Sequence, residues 1–578
     1  MGTGAAERRI GIVATALGGA VALALSSWNE FRSGFDAVPG HVGDTVLIVA
    51  LLEHWRHVFE GAAAWRSPGF FFPIDGVLGY SDGYVAFAPP YTALRWIGFS
   101  PFGAFQGLVL ALAVFGYIGA ERFFRRTLGV GRWIAAAAAA LATAASPLIV
   151  QAYHAHAQLL AVVLLPWIGL CAARAVRAPT AAARARAAVA AGALLGLTFL
   201  TAFYIAWFAT FYAAIALALF ALLLLATEGS AAAGRQVRAT IAHWREIAAG
   251  LLAFGAAMLP FAALYAPALA ELGGRKPETI RQMLPQPLDL LNVGAGHALW
   301  GDLWSRIEPS LGERPFAASF AHGIPPLTLA AFVAALFWAW TLRRAAGQSA
   351  AGAAPRVLVS PVLLAAATAV PLCWVLEVRI GDTSLWSSLI GVVPGASAIR
   401  VVARFQNVLV LPLAATLAWA SLRLAARAAA NQRRSVACLL ALAWAVLLIE
   451  QAHARVRSFP KRAQLERLAA IGAPPPDCEV FYLAPTRPVS LQNPSDPSPA
   501  AWNEVQHVAM LVAALHGVPT VNGRSSWLPR GWALREPWAP GYEANVGAWA
   551  QSHDIARLAW CRLDLGARRW EAVTPPAR

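Results

Sequence analysis

The sequence predicts an all-α polytopic membrane protein, a bundle of about eleven transmembrane helices with long loops and a small C-terminal domain on one side. Three observations carry this. Apolar residues make up 58% of the 578 residues and charged residues 13%, roughly half the charged share of a soluble chain. The apolar residues gather into stretches near the roughly 20 residues that cross a bilayer. The polar segments between them alternate in kind: short and arginine-rich, or long and rich in acids, tryptophan, proline and turn residues.

The spans read as 10–27, 102–118, 133–150, 157–173, 188–200, 203–226, 247–266, 324–342, 358–376, 405–422 and 435–450, with 188–200 and 203–226 also compatible with one bent element. Arg8 and Arg9 precede the first span. Arg122, Arg125, Arg126 and Arg132 follow the second, and Arg174, Arg177, Arg184 and Arg186 follow the fourth. Arg235, Arg238 and Arg245, then Arg343, Arg344 and Arg356, then Arg423, Arg427, Arg433 and Arg434 complete the series. Every second loop is basic, as cytoplasmic loops are. Eleven spans then put the N-terminus inside and the tail outside. The same distribution argues against a nucleic-acid partner for the net charge of +16, because the cations sit in separate short loops rather than on one face. The first apolar run resembles a signal peptide, but no clear cleavage site follows it and ten more spans do, so a retained helix is expected.

Residues 1–450 are expected to form the transmembrane module, with external loops 28–101, 267–323 and 377–404, and residues 451–578 an external domain. In the first loop, 44–60 has an apolar stripe of Leu47, Leu51, Leu52 and Trp55, expected to lie along the membrane surface with Asp44 as N-cap. The aromatic- and turn-rich piece that follows predicts a structured loop. In the tail, Asn522-Gly523 and Pro529–Gly531 signal turns, and 505–517 has the periodicity of a helix that covers the bundle. Cys171, Cys373 and Cys438 sit in or beside spans, as packing residues do. Cys478 and Cys561 both lie in the tail, where an oxidising compartment permits a disulfide.

The polar investment is external, and so are the candidate chemical groups. Asp44 is the leading one, either an ordinary cap or a general base facing a membrane-level cavity. Asp82, in GYSDGY with Tyr80 and Tyr84, suits a turn or a carbohydrate contact. Asp36 is a weaker third acid. Arg400 and Arg404 stand at the external entrance of the tenth span, the wrong side for the charge rule. Four residues apart, they can share a helical face and match phosphate oxygens, or else pair with Glu377 or Asp382. Arg281 and Arg95 are lesser external cations. His154, His156 and Gln158, in HAHAQ, read as cavity lining or as hydrogen-bonding partners of the bundle backbone. No third metal ligand stands out beside the two histidines, and no cofactor is indicated; a divalent metal stays open.

The ordered set VGDT (42–45), FFFP (70–73), GYSD (79–82), HAHAQ (154–158), VPGASAIRVVARF (393–405), GVPTVNGRSSWLP and CRLD resembles the GT-C superfamily of integral-membrane glycosyltransferases. Within it, the set looks most like the bacterial multi-span proteins of the YfhO-like type. The resemblance implies a polyprenyl-phosphate-linked sugar as donor and a glycan or lipid acceptor in the cell envelope. It also implies transfer with inversion at the outer face of a bacterial cytoplasmic membrane, and an acid of the first external loop as base, a position that Asp44 matches. No Asp-x-Asp occurs in this loop, unlike many relatives. A transporter or flippase is the competing function, and a non-catalytic assembly factor for envelope glycopolymer a third. A transporter usually buries ionisable groups mid-span, whereas these spans are almost free of acids.

Overall fold

The computed structural model describes residues 2–312, 314, 317–348, 360–484 and 501–574. In chain order the elements are α1 (Gly2–Arg32), β1 (Ala37–Pro39), α2 (Val42–Phe59), α3 (Ala88–Trp96), α4 (Pro101–Phe123), α5 (Arg132–Thr143), α6 (Leu165–Arg177), α7 (Ala181–Thr201), α8 (Phe203–Ala242), α9 (Trp244–Leu272), α10 (Pro277–Arg281), α11 (Gly301–Ile307), α12 (Pro326–Gln348) and α13 (Pro361–Glu377). The hairpin β2 (Arg379–Ile380) and β3 (Thr383–Ser384) leads to α14 (Leu385–Leu389), α15 (Gln406–Arg427), α16 (Arg433–Ile449), β4 (Ser458–Pro460), α17 (Lys461–Ile471), β5 (Val480–Leu483), α18 (Ala501–His516), α19 (Tyr542–Ser552), β6 (Trp560–Asp564) and β7 (Arg569–Val573).

Each segment read as a span holds a helix, and among the described residues eight helices are long and apolar enough to cross a membrane. The chain is therefore a multi-pass membrane protein. The count of eleven is not reproduced by that criterion: α5 and α13 are apolar but shorter, and α16 covers 17 residues. The alternative of one bent element over 188–226 gives way to two helices, because Ala202 between α7 and α8 is extended (φ −153°, ψ 101°). Local chemistry sets the boundaries. Ser100 caps α4 by accepting from Gly103 N, with Pro101 at the first helical position, where a missing N–H costs nothing. Gly229, at φ 80°, interrupts α8 beyond its apolar part. The α7–α9 contact is tight because Gly192 and Gly196 face Gly250 and Ala257, leaving no room for a Cβ; small residues four apart let membrane helices approach closely. Leu217, Leu222, Leu251, Leu252 and Leu259 stay exposed on α8 and α9, as lipid-facing side chains do.

The first long loop and the tail pack against each other as one layer. β1 pairs antiparallel with β4, tying the first loop to the tail. α18 packs on α2, and His57 Nε2 lies 2.7 Å from Ala514 O. α2 is therefore not laid on a membrane surface: Leu51 and Leu52 are buried, and the predicted covering helix 505–517 covers α2. In the tail, β5 runs parallel to β6, and β6 antiparallel to β7. Asn522 is a buried hub rather than an exposed turn. Its Oδ1 accepts from Leu483 N at 2.8 Å, and its Nδ2 donates to Gln506 and to Tyr542. The backbone at Phe71 and Phe72 donates to Asn522 O and Thr520 O, both at 3.0 Å. The layer is clamped to the bundle by Glu450, whose carboxylate accepts from Trp300 Nε1, Leu327 N, Thr328 N and Thr328 Oγ1 at 2.7–3.0 Å. Four donors on one fully buried carboxylate offset its desolvation.

Two expected results arise here. Sidedness follows from the arginine pattern: reporters fused after residues 125, 180, 345 and 430 should read cytoplasmic, and one after 500 external; a cytoplasmic signal at 500 would overturn the orientation. The second concerns Cys478 and Cys561, joined by a disulfide with Cα atoms 5.7 Å apart and 83 residues of separation. Replacing both with Ser should destabilise the tail by about 2–4 kcal/mol, read as a lower melting temperature of purified protein without reductant. Two free thiols at these positions in untreated protein would contradict the bridge.

Candidate functional site

Where the layer meets the bundle, the first turn of α2 carries Asp44. His41 is the N-cap, its Nδ1 accepting from Gly43 N at 3.0 Å. Asp44 is therefore not the cap that the sequence suggested, and its carboxylate is left for other work. It lies within the positive end of the helix dipole. His156, at the crossover between α5 and α6, brings Nδ1 to 3.4 Å from Asp44 Oδ2. The acid side chain keeps 47% of its surface open, yet so much protein surrounds it that burial raises its pKa, against the lowering pull of His41, Arg404, Arg524 and Arg457. Burial, with Arg404, His322, Arg457 and Arg400 around it, pushes His156 well below its usual range, so the imidazole is neutral.

Asp82 joins the same electrostatic neighbourhood through Arg404. Its Oδ1 accepts from Phe203 N at 3.1 Å, so it caps α8 across 121 residues of chain. Burial pushes its pKa up to about 6. A folded-state pKa above the ordinary 3.8 means the native state binds the proton more tightly, so this group's stabilising contribution is present at low pH and lost as pH rises from about 4 to 6. Asp82→Asn keeps a side-chain oxygen for the cap and should flatten that fall. Melting temperatures from pH 4 to 7 that decline equally in both proteins would disprove it.

The arginines arrive from four segments. Arg404 is 9% exposed, with its guanidinium carbon 5.4 Å from the Tyr204 ring centre. Its Nε lacks a hydrogen-bond partner, and no carboxylate of the described residues lies within ion-pair distance of it. Arg400 donates its backbone N–H to Tyr204 Oη at 2.7 Å. The two do not share a helical face: Arg404 sits in a 3-10 turn, Val402–Phe405, and Arg400 in the irregular stretch before it. They still converge electrostatically on one another, with Arg275. Arg275 follows α9 and lies over Trp527 at 4.5 Å, its Nε also without partner. Arg524 donates to Asn503 Oδ1 at 2.8 Å and is electrostatically coupled to Asp44, Arg275 and Arg400. Arg457, beyond α16, is coupled to Asp44 and His156. Five guanidinium groups thus face two carboxylates. Such an excess, partly desolvated and with unpartnered donors, fits a multiply charged oxyanion such as phosphate.

The remaining sequence candidates divide. Tyr84 donates to Gln158 Oε1 at 3.2 Å and is coupled to Asp44 and Asp82, so both belong here. His154 does not: it is buried between Ser26 O at 2.9 Å and Arg457 O at 3.2 Å, the backbone-anchoring role open to it in the sequence. Tyr80 donates to Glu271 at 2.9 Å and holds α9 to the loop. Arg281 is exposed at the end of α10, with no side-chain bond to either acid. Asp36 caps α17 through Arg462 N at 3.0 Å, and Arg95 pairs with buried Glu53. Glu377 accepts from Gln406, not from Arg404. Among the described residues no group of three or more His, Cys, Asp and Glu is arranged to hold a metal. Sequence reasoning missed Arg275, Arg457, Arg524, Tyr204 and His41. The arginines carried the same signal as Arg400, a cation outside the short basic loops.

A cleft of about 700 Å³ borders this cluster at Arg457. Another of about 600 Å³ lies between the C-terminal halves of α2 and α18, beside His54, His57 and Asp75. The latter shares none of the acid–arginine residues, and size alone does not make it the reaction site.

No family model matches the sequence, and no curated protein matches it. Among solved structures, the apo oligosaccharyltransferase of Archaeoglobus fulgidus is similar over 98% of this chain and 74% of its own, at 13% identity and a TM-score of 0.44. ArnT of Cupriavidus metallidurans bound to undecaprenyl phosphate is similar over 89% and 72%, at 14% identity and 0.38. At these scores the likeness assigns no role to any residue here.

Proposed function

We propose that this chain is an inverting membrane glycosyltransferase of the GT-C kind, moving a sugar from a polyprenyl-phosphate donor to a hydroxyl of an envelope glycan or lipid on the outer face. The observation that supports it is the pairing of one reachable carboxylate, Asp44, with a desolvated arginine cluster at the level where bundle meets layer. Glycosyl transfer from a lipid phosphate needs both parts. The acceptor oxygen attacks the anomeric carbon, its proton passes to Asp44, the bond between that carbon and the phosphate oxygen breaks, and the lipid phosphate leaves with the electron pair. Arg404, Arg400 and Arg275 stabilise the departing phosphate. Neutral His156 at 3.4 Å orients the acid, a contact that tightens when substrate excludes water. Asp82 shapes the pocket from its cap. The ordered motifs keep the YfhO-like group as the nearest kin on this reading.

The transport reading draws less support, because buried Glu377 sits at the end of α13 and is bonded to Gln406, itself bonded to Trp374 at 2.8 Å, rather than mid-span. The test is binding of undecaprenyl phosphate to protein in nanodiscs, followed by sugar transfer. Saturable binding that Arg404→Gln weakens supports the assignment; absence of binding overturns it.

A further inference from the structure

The cleft at Arg457 runs between the α5–α6 crossover, the loop Val293–Gly296 and the segment that leaves α16. One wall is packed backbone against backbone. Gly296 O accepts from Ala454 N at 2.9 Å and from Arg455 N at 3.1 Å, and a Cβ on Gly296 would collide with Arg455 O. The two backbones therefore lie against each other with no side chain between them. The lining mixes Val150, Val293 and Val456 with small or polar residues, among them Ser305, Glu308, Arg455 and Arg457. Arg455 is held along the wall by Ala295 O at 3.4 Å. Neither Glu308 nor Arg457 has a side-chain hydrogen bond or an ion pair among the described residues. A volume near 700 Å³ is in the range of small-molecule sites, and the apolar part of its lining is valine and alanine, with none of the leucine, isoleucine or phenylalanine that would wall in a lipid tail. Peptide amides, a hydroxyl and a lone carboxylate suit sugar hydroxyls, and two guanidinium groups suit an acidic substituent. Gly40 N donates to Arg457 O at 3.0 Å, which ties this edge of the cleft to the chain four residues before Asp44, and Arg457 also acts on Asp44 electrostatically.

We infer that this cleft binds an acidic saccharide, a chain bearing carboxylate or phosphate groups, and presents its hydroxyl to Asp44. That this saccharide is the acceptor rests on the transferase reading above; the ligand class rests on the cleft. The experiment measures three affinities in nanodiscs: a hyaluronan tetrasaccharide, neutral maltotetraose and undecaprenyl phosphate. The acidic tetrasaccharide should bind about tenfold tighter than maltotetraose. Arg455→Gln and the space-filling Ser305→Trp should each weaken it by about tenfold while leaving undecaprenyl phosphate affinity within about twofold. Equal affinity for the two saccharides, no saccharide binding, or indifference to both variants would overturn the inference. Undecaprenyl phosphate that fails to bind while the saccharide pattern holds would remove the donor reading and leave the cleft assignment standing.

Discussion

Asp44→Asn should fold, bind donor with unchanged affinity and turn over at least about 100-fold more slowly, within the range for loss of a general base. The side chain has no capping duty to lose, because His41 is the N-cap and bonds Gly43 N. Asn is nearly isosteric and keeps an oxygen toward His156; it lacks only the ability to take a proton. The pH profile gives an independent readout. Burial raises the Asp44 pKa, against the opposing pull of His41, Arg404, Arg524 and Arg457, so the acid limb of kcat/KM should lie above the ordinary carboxylate range. Activity falls as pH drops through that limb, since a protonated acid cannot act as base. The limb should vanish from whatever residual rate Asp44→Asn retains. Full activity in this variant would remove Asp44 from the chemistry, and an unchanged limb would assign the titration to another group.

Much of this architecture was written in local patterns. Charge alternation and apolar length placed helices at every predicted span, because crossing a bilayer constrains each segment separately. Asp44, Asp82, His156, Gln158, Arg400 and Arg404 were legible as acids, an imidazole, an amide and cations outside the predicted spans. The errors come from long-range contacts that local patterns do not encode. The stripe on α2 read as membrane-facing, yet its partner is α18, more than 450 residues away. HAHAQ gave two equivalent histidines. Whether each meets a carboxylate or a carbonyl depends on how the crossover lies between Asp44 and the strand beyond α16. Arg524 sits in VNGRSSW, which looked like a turn, and reaches the acid only because Asn522 and Gly523 are packed on Gln506 and Phe71.

Arg404→Gln combined with Arg400→Gln should weaken undecaprenyl phosphate binding by about 2–5 kcal/mol, the cost of truncating one side of a desolvated charge pair, or roughly thirty- to several thousand-fold. The size of the effect follows from burial. Arg404 is 9% exposed, stacked near Tyr204, and has a donor with no partner among the described residues. Its cost is met when an oxyanion arrives, so removing it costs binding more than folding. Arg404→Lys should recover part of the affinity, because the ammonium keeps the charge but cannot supply the planar fork. Salt separates this from a general surface attraction: a buried pair is screened little at 0.15 M, so the deficit of the Gln variant should persist between low and physiological ionic strength. A deficit that disappears with added salt, or donor affinity unchanged in the double variant, would return both arginines to packing against Tyr204.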